Sequence, residues 1–245
     1  MEINKRRKMV KHLTTYEHTE IKNAYRRFTE SSKNLGWRGP SLYFHKKTIE
    51  FLSKERLNPD FSYHNLLNNE RFLEYLYATL ATWGLHSMKG PYMKSFNDFK
   101  NEVEQIADKL DEIKDITLDN WQAIDQNKNI ILDDIFAVPR ITKSERESEE
   151  GPILVANSKL LHHLHPNLFP PIDRKYIIKF FYNRTNHPNS IDKQKEYFWE
   201  ILCEYSEFYR RNSELIHEIR ENYYENEPIT KIIDNIVVGL CLIRR

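Results

Sequence analysis

The sequence predicts an all-α protein, a compact multi-helix body, and three observations carry this prediction. Apolar residues recur at helical spacing over most of the 245-residue chain, as Ile21, Ala24 and Phe28 do. No run of β-branched and aromatic residues alternates with polar residues in the way a half-buried strand requires. The six glycines of the chain leave little material for the tight turns of β-hairpins.

The predicted helices follow one another closely, and glycine, proline or a capping residue marks most of the breaks between them. Residues 36–40 separate the first two helices, and Pro59 follows the second. Ser95 and Asp98 have the form of a capping box, and Thr117 is placed to cap a short helix. The predicted helices cover residues 15–34, 41–57, 63–85, 95–114, 117–124, 153–165, 173–182, 191–212, 213–224 and 228–242, and residues 130–138 form a further apolar stretch.

Two of these helices have the pattern of buried elements. Residues 63–85 are apolar round much of the helix circumference, which is typical of a central helix. Residues 228–242 are also apolar, but Lys231, Asp234 and Asn235 interrupt them, so a buried helix is predicted there. No apolar run approaches the roughly 20 residues that a membrane span needs.

We expect one helical unit over residues 1–245, with a basic N-terminal tail at residues 1–11. Residues 140–151 alternate in charge and are predicted to form a loop. If residues 139–151 join two parts of the body, its helical lobes are residues 12–138 and 152–245. A cleft between two such lobes is where a ligand site would form.

Composition narrows the functional classes only a little. The formal net charge of +1 is lower than that of a dedicated electrostatic nucleic-acid binder, although a local basic face on a neutral body stays open. The 14 Tyr, 13 Phe and 4 Trp suit core packing first and base stacking second. Two cysteines exclude a disulfide scaffold and indicate a reducing compartment, so we expect a cytoplasmic protein.

The stretch from Gly151 to Tyr176 carries the clearest chemical signal. Lys159 lies within an apolar predicted helix, and burial would lower the pKa of its amine and make it a usable nucleophile. A rigid turn at Pro170-Pro171 follows, and Asp173 stands where the next helix begins. A carboxylate at that position could stabilise a developing positive charge.

The order Gly151, Lys159, Pro170-Pro171 turn and Asp173 resembles the helix-hairpin-helix DNA glycosylases. In that family a glycine-containing hairpin leads into a helix that carries a lysine in bifunctional members. A proline-containing turn then leads to an aspartate that caps the next helix. The resemblance implies that Lys159 is the amine nucleophile and that Asp173 supports the sugar oxocarbenium ion. The chain departs from the family pattern in having Asn157-Ser158 where a glycine-containing pair is expected, and in a shorter interval between the lysine and the aspartate.

The resemblance implies a hydrolase of N-glycosyl bonds that flips and excises a damaged or modified base, in repair or in defence against phage DNA with modified bases. It implies no cofactor and no metal. Gly151, Arg174 and Lys175 would bind the phosphates of double-stranded DNA, so binding would not depend on base sequence. The identity of the base and the oligomeric state are left open.

The residues that would contact the flipped base are Ser158 and the aromatic and polar side chains of a Gly-rich turn, Trp83, His86 and Tyr92. Several of the proposed site residues could instead have a purely structural role. Trp83 could belong to the core, Asp173 could be an N-cap alone, and Lys159 could be a surface lysine.

Two further functional classes stay open at this stage. One is a non-catalytic helical module that binds nucleic acid or protein. The other is a metal-dependent nuclease using Asp133-Asp134 and Glu149-Glu150, although the strand framework of such enzymes is absent from the pattern. His162, His163 and His165 invite a zinc interpretation, but no neighbouring Cys or HExxH spacing completes a site.

Overall fold

The prediction of an all-α protein is confirmed by the computed structural model, which describes residues 9–34, 40–85, 92–143, 153–186, 188–223 and 227–242. Within these ranges the only β feature is an isolated antiparallel bridge between Met93 and Thr142. None of the helices in the described ranges is long and apolar enough to cross a membrane.

The α-helices are α1 His18–Asn34, α2 Pro40–Glu55, α3 Tyr63–Leu67, α4 Glu70–Leu80, α5 Phe96–Glu104, α6 Ala107–Glu112, α7 Trp121–Gln126, α8 Leu154–Leu164, α9 Lys179–Tyr182, α10 Ile191–Tyr223 and α11 Ile229–Leu242. Three π-helical segments, Ala81–Leu85, Ile130–Phe136 and Arg174–Ile178, and a 3₁₀ turn, Leu13–Thr15, complete them.

The single helix predicted over residues 63–85 is wrong, because the chain divides it into α3, α4 and a π-helical turn. The Asn69 side chain accepts a hydrogen bond from Phe72 N at 3.2 Å and so starts α4 as a new helix. The turn ends at Gly84, whose φ of +88° suits a residue without a Cβ. The helical spacing of apolar residues continues across both breaks, so the sequence pattern alone did not predict them.

Two other predicted boundaries also differ from the structure. Residues 95–114 form α5 and α6, because the backbone leaves helical geometry at Ile106, with φ −101° and ψ 2°. Residues 191–212 and 213–224 were predicted as two helices but run together as α10, with a kink at Asn212. The Asn212 side chain donates to the carbonyl of Phe208 at 2.9 Å, a local bond that competes with the helical ladder.

One continuous core draws side chains from both sides of residues 139–151. Among the described residues, α1 and α11 form the most extensive helix pairing. They approach so closely at Gly239 of α11 that a Cβ there would lie 1.9 Å from the Ala24 carbonyl oxygen. Many of the aromatic rings pack in this core, for example Phe136 stacked on Phe198 with centroids 4.2 Å apart. The division into two lobes stays a prediction.

Candidate active site

Helix α8 is buried on almost every side and carries the polar residues around which the site is built. Its first backbone groups, Ile153 N and Leu154 N, both donate to Gln194 Oε1 of α10 at 2.8 Å. Asn157 is also buried, and its Nδ2 donates to the carbonyls of Phe136 and Pro139 at 2.7 and 2.9 Å. These bonds hold α8 in one position relative to the segment before it.

Ser158 links α8 to the turn that precedes Asp173. It is fully buried, and its Oγ accepts a hydrogen bond from Ile172 N at 3.1 Å. Its hydroxyl also lies 3.2 Å from the Val155 carbonyl. This placement makes Ser158 a residue that positions Asp173, and it does not present Ser158 to a ligand as the sequence analysis expected.

The Lys159 side chain is partly buried, between the surface and the interior of the protein. Its Nζ donates to the Trp83 carbonyl at 2.6 Å. Burial lowers the pKa of the Lys159 amine below its ordinary value, and the nearby carboxylates of Asp173 and Asp234 only partly oppose this shift. The amine is therefore easier to deprotonate than an ordinary lysine.

Asp173 caps the π-helical segment Arg174–Ile178, as the N-cap interpretation predicted. Its Oδ1 accepts a hydrogen bond from Tyr176 N at 2.6 Å. Within the described part of the chain no donor reaches its Oδ2. A carboxylate held through one oxygen keeps its orientation and still has acceptor capacity to offer a ligand.

Lys159 and Asp173 line the same cavity, of about 140 Å³, together with Trp83, Lys231 and Asp234. A larger cavity of about 530 Å³ shares Asp173, Trp83, Lys231 and Asp234 with it and extends to His45 and Tyr176. Small-molecule sites commonly measure about 300–1,000 Å³. Asp173 therefore borders a cavity of ligand size, whereas Lys159 borders only the smaller cavity that shares part of its lining.

Lys231 and Asp234 form a buried ion pair at these cavities that the sequence analysis treated only as an interruption of an apolar helix. The Lys231 ammonium donates to Asp234 Oδ2 and lies 5.2 Å from the centroid of the Trp83 ring. Burial raises the pKa of Asp234 even against the attraction of Lys231. Burial alone would lower the pKa of Lys231, but Asp234, Glu227 and Asp173 outweigh it, and the pKa lies above the ordinary lysine value. The i, i+3 spacing on a buried helix was the available signal.

Three buried histidines lie behind Trp83, and only two of them were among the predicted three. His45 of α2 joins His162 and His163 of α8, and one possible ligand atom from each lies within 4.8 Å of the others. His165 belongs elsewhere, because its ring nitrogens lie 3.2 Å from Arg56 and from the Ile113 carbonyl. Burial lowers the pKa of His162 and His163 well below the ordinary histidine value.

The remaining predicted site residues fall in different places. Trp83 forms a wall of both cavities, with its ring already packed on His45 at 5.1 Å between centroids. Tyr92 is exposed, and its carbonyl accepts a hydrogen bond from Lys143 N; it does not line either cavity. Arg174 and Lys175 are exposed directly after Asp173. His86 and Gly151 lie outside the described residues.

The acidic pairs considered for a metal-dependent nuclease do not form a site in the described ranges. Asp133 is partnered by Lys195, with its Oδ1 2.7 Å from the Lys195 Nζ. Glu149 and Glu150 lie outside the described residues. Among the residues that the structure describes, the histidine cluster is the one group of three metal-ligating side chains.

Comparison with known proteins adds no relative to this description. No family model, no curated protein and no solved structure matched the chain.

Proposed function

We propose that the protein is a DNA N-glycosylase, which takes a damaged or modified base out of the duplex and cleaves its N-glycosidic bond. The observation that carries the proposal is the shared cavity of the Lys159 amine and the Asp173 carboxylate. Cleavage of an N-glycosidic bond leaves positive charge on the sugar, and a fixed carboxylate stabilises that charge as it develops. The proposal agrees with the resemblance to helix-hairpin-helix glycosylases and does not depend on it.

Lys159 would act as the nucleophile. Its Nζ bonds to the sugar C1′ as the bond from C1′ to the base breaks, and the base leaves with the bonding electron pair and takes up a proton. The amine gives up one proton, and opening of the sugar then yields a Schiff base. A lysine with a lowered pKa suits this role, since only the neutral amine can attack.

The surface beside Asp173 offers cations for the DNA backbone. Arg174 and Lys175 are exposed there, and Lys175 lines a further surface hollow with Lys11 and Lys179. Tyr176 borders both this hollow and the larger cavity. Phosphates held on these cations would place a flipped nucleotide next to Asp173 without reading sequence.

Asp173→Asn is expected to abolish base excision while leaving the fold intact. Asparagine caps helices about as well as aspartate, so unfolding free energy should change little. Loss of the negative charge should reduce excision at least about 100-fold. The measurement uses duplexes that each carry a different modified base, with conversion of abasic sites to strand breaks as the readout. Asp60→Asn, at an exposed aspartate, serves as the control.

The outcome of this assay also separates the functional classes. A folded wild-type protein that binds DNA but excises none of the bases would contradict the glycosylase proposal and favour a non-catalytic binding module. Equal excision by Asp173→Asn and by the wild type would remove Asp173 from the chemistry.

A second expectation concerns Lys159 alone. Borohydride should reduce the Schiff base and trap a covalent protein–DNA adduct with the wild type, and Lys159→Met should give none. Lys54→Met, at an exposed lysine outside the proposed DNA contacts, should still give the adduct. Excision without any trapped adduct in the wild type would assign the attack to water, with Asp173 as the remaining catalytic carboxylate.

A third expectation concerns the cations beside the cavity. Replacement of Arg174, Lys175 and Lys179 by glutamine should weaken DNA binding about equally for all sequences. Each lost phosphate contact should lower the slope of log affinity against log salt concentration by about 0.9. Titrations at several salt concentrations measure this slope, and an unchanged slope would place the DNA elsewhere on the protein.

A further inference from the structure

The histidine cluster behind Trp83 is independent of the glycosylase proposal. His45, His162 and His163 are at most 2% exposed, so the protein interior, not solvent, surrounds their rings. The rings come from α2 and α8, which places the cluster where two helices pack. Buried imidazoles need partners for both ring nitrogens, and the hydrogen bonds around these rings show which nitrogens lack them.

Two of the rings have their tautomers set by backbone carbonyls, which can only accept. His163 Nδ1 lies 2.7 Å from the Lys159 carbonyl, and His162 Nδ1 lies 3.1 Å from the Phe169 carbonyl. Both Nδ1 atoms therefore carry the proton and donate it, and a neutral ring then has a lone pair on Nε2. The Nε2 of His162 is buried and has no hydrogen-bond partner in the described structure.

The third ring, His45, places a lone pair against that of His163, and a cation between the two nitrogens would remove this repulsion. His45 Nε2 lies 3.4 Å from Glu227 Oε2, so it donates to that carboxylate. In a neutral ring this leaves the lone pair on His45 Nδ1, which lies 3.0 Å from the lone pair of His163 Nε2. A doubly protonated His45 would also settle this contact, but it would leave His162 Nε2 without a partner.

We propose that His45 Nδ1, His162 Nε2 and His163 Nε2 form a binding site for a divalent transition-metal ion, zinc by preference. Three imidazole nitrogens are a known zinc ligand set. Zinc–nitrogen bonds of about 2.0–2.1 Å at tetrahedral angles put ligand nitrogens about 3.4 Å apart, close to the 3.0 Å between His45 and His163. Ligand atoms as much as 4.8 Å apart would have to approach by about 1.4 Å to reach that spacing.

The surroundings have the form of a metal site's outer shell. Metal-bound histidines donate their other ring N–H to a carboxylate or a backbone carbonyl, and here Glu227, the Lys159 carbonyl and the Phe169 carbonyl accept these bonds. Glu227 is the carboxylate that contacts the cluster, through His45, and the ammonium groups of Lys231 and Lys159 also act on the rings. Because Glu227 lies two residues before α11, the ion would tie together α2, α8 and the start of α11.

The test begins with the full-length wild type, stripped of metal by a chelator and then supplied with Zn²⁺, Ni²⁺ or Mg²⁺ separately. After removal of free metal, we expect one zinc per chain, a higher melting temperature with zinc than without it, and no effect of Mg²⁺. X-ray absorption at the zinc edge should show scattering from imidazole rings. Substoichiometric zinc, or zinc without imidazole scattering, in a folded protein would overturn the proposal.

Variants locate the ion in the cluster. His162→Phe fills the same buried space and should lower zinc affinity at least about 100-fold, whereas Glu227→Gln should lower it about 10–100-fold. His64→Gln, at an exposed histidine, should bind zinc as the wild type does. Equal affinity of His162→Phe and the wild type would place the ion elsewhere and contradict the assignment. Zinc binding is measured without DNA, so failure of the glycosylase proposal does not affect this result.

Discussion

Gly239→Ala is expected to destabilise the protein by about 3 kcal/mol or more, measured as the unfolding free energy in urea. The added Cβ would lie 1.9 Å from the Ala24 carbonyl oxygen and 2.5 Å from its carbonyl carbon. These are backbone atoms of α1, so no side-chain rotation relieves the clash. Helices α1 and α11 must separate, and their shared core contacts weaken along the whole interface.

The sign of this effect distinguishes close helix packing from ordinary helix propensity. Glycine to alanine within a helix would otherwise stabilise it by up to about 1 kcal/mol. Gly84→Ala is the matched control, because open space surrounds Gly84 and only its φ of +88° opposes a side chain. We expect a cost of about 1–2 kcal/mol there. Unchanged or raised stability of Gly239→Ala would contradict the observed approach of α1 to α11.

Lys231→Met is expected to cost about 3–5 kcal/mol at neutral pH, because it leaves the Asp234 carboxylate buried without its partner. Asp234 is 4% exposed, so water can replace the ammonium group only in part. The double variant Lys231→Met with Asp234→Asn removes the charge together with its partner and should recover most of the loss. Urea unfolding of the single and double variants measures both effects. Equal loss in the two variants would show that the Lys231 stem, and not the charge pair, supplies the stability.

The pH dependence of Lys231→Met follows from the same carboxylate. Burial already raises the pKa of Asp234 in the wild type, where Lys231 still attracts the ionised form. Without Lys231 the folded-state pKa should rise further, so the folded protein binds a proton that the unfolded chain has released. Stability should therefore fall as pH rises from the unfolded-state pKa, about 3.9, through the folded-state value. A cost that does not change across this range would contradict the explanation.

Only part of the candidate site could be predicted from local sequence. The apolar neighbours of Lys159 and the turn before Asp173 are local features, and they left two interpretations open for each residue: a buried nucleophile or a surface lysine, and a catalytic carboxylate or an N-cap. In the structure Asp173 is an N-cap and Lys159 is partly buried. That both residues border one cavity depends on tertiary structure. The hydrogen bond from Ile172 N to Ser158 Oγ holds the turn before Asp173 against α8. Whether they perform the proposed chemistry stays a prediction.

The histidine cluster marks the limit of sequence reasoning most clearly. His162 and His163 are neighbours in the chain, but the third member, His45, is more than a hundred positions away on α2. Local spacing suggested His165 instead, and packing turned that ring toward Arg56 and the Ile113 carbonyl. Lys231 and Asp234 were visible in the sequence, yet only the packing of α11 beside Trp83 revealed them as the floor of a cavity.

The sequence by itself determined the all-α class and most helix positions, because helical periodicity and capping depend on residues within a few positions of each other. Tertiary structure decided which three histidines meet and which charges share the cavity. Those outcomes depend on contacts between distant parts of the chain, such as the approach of Gly239 to Ala24, and no local pattern encodes them.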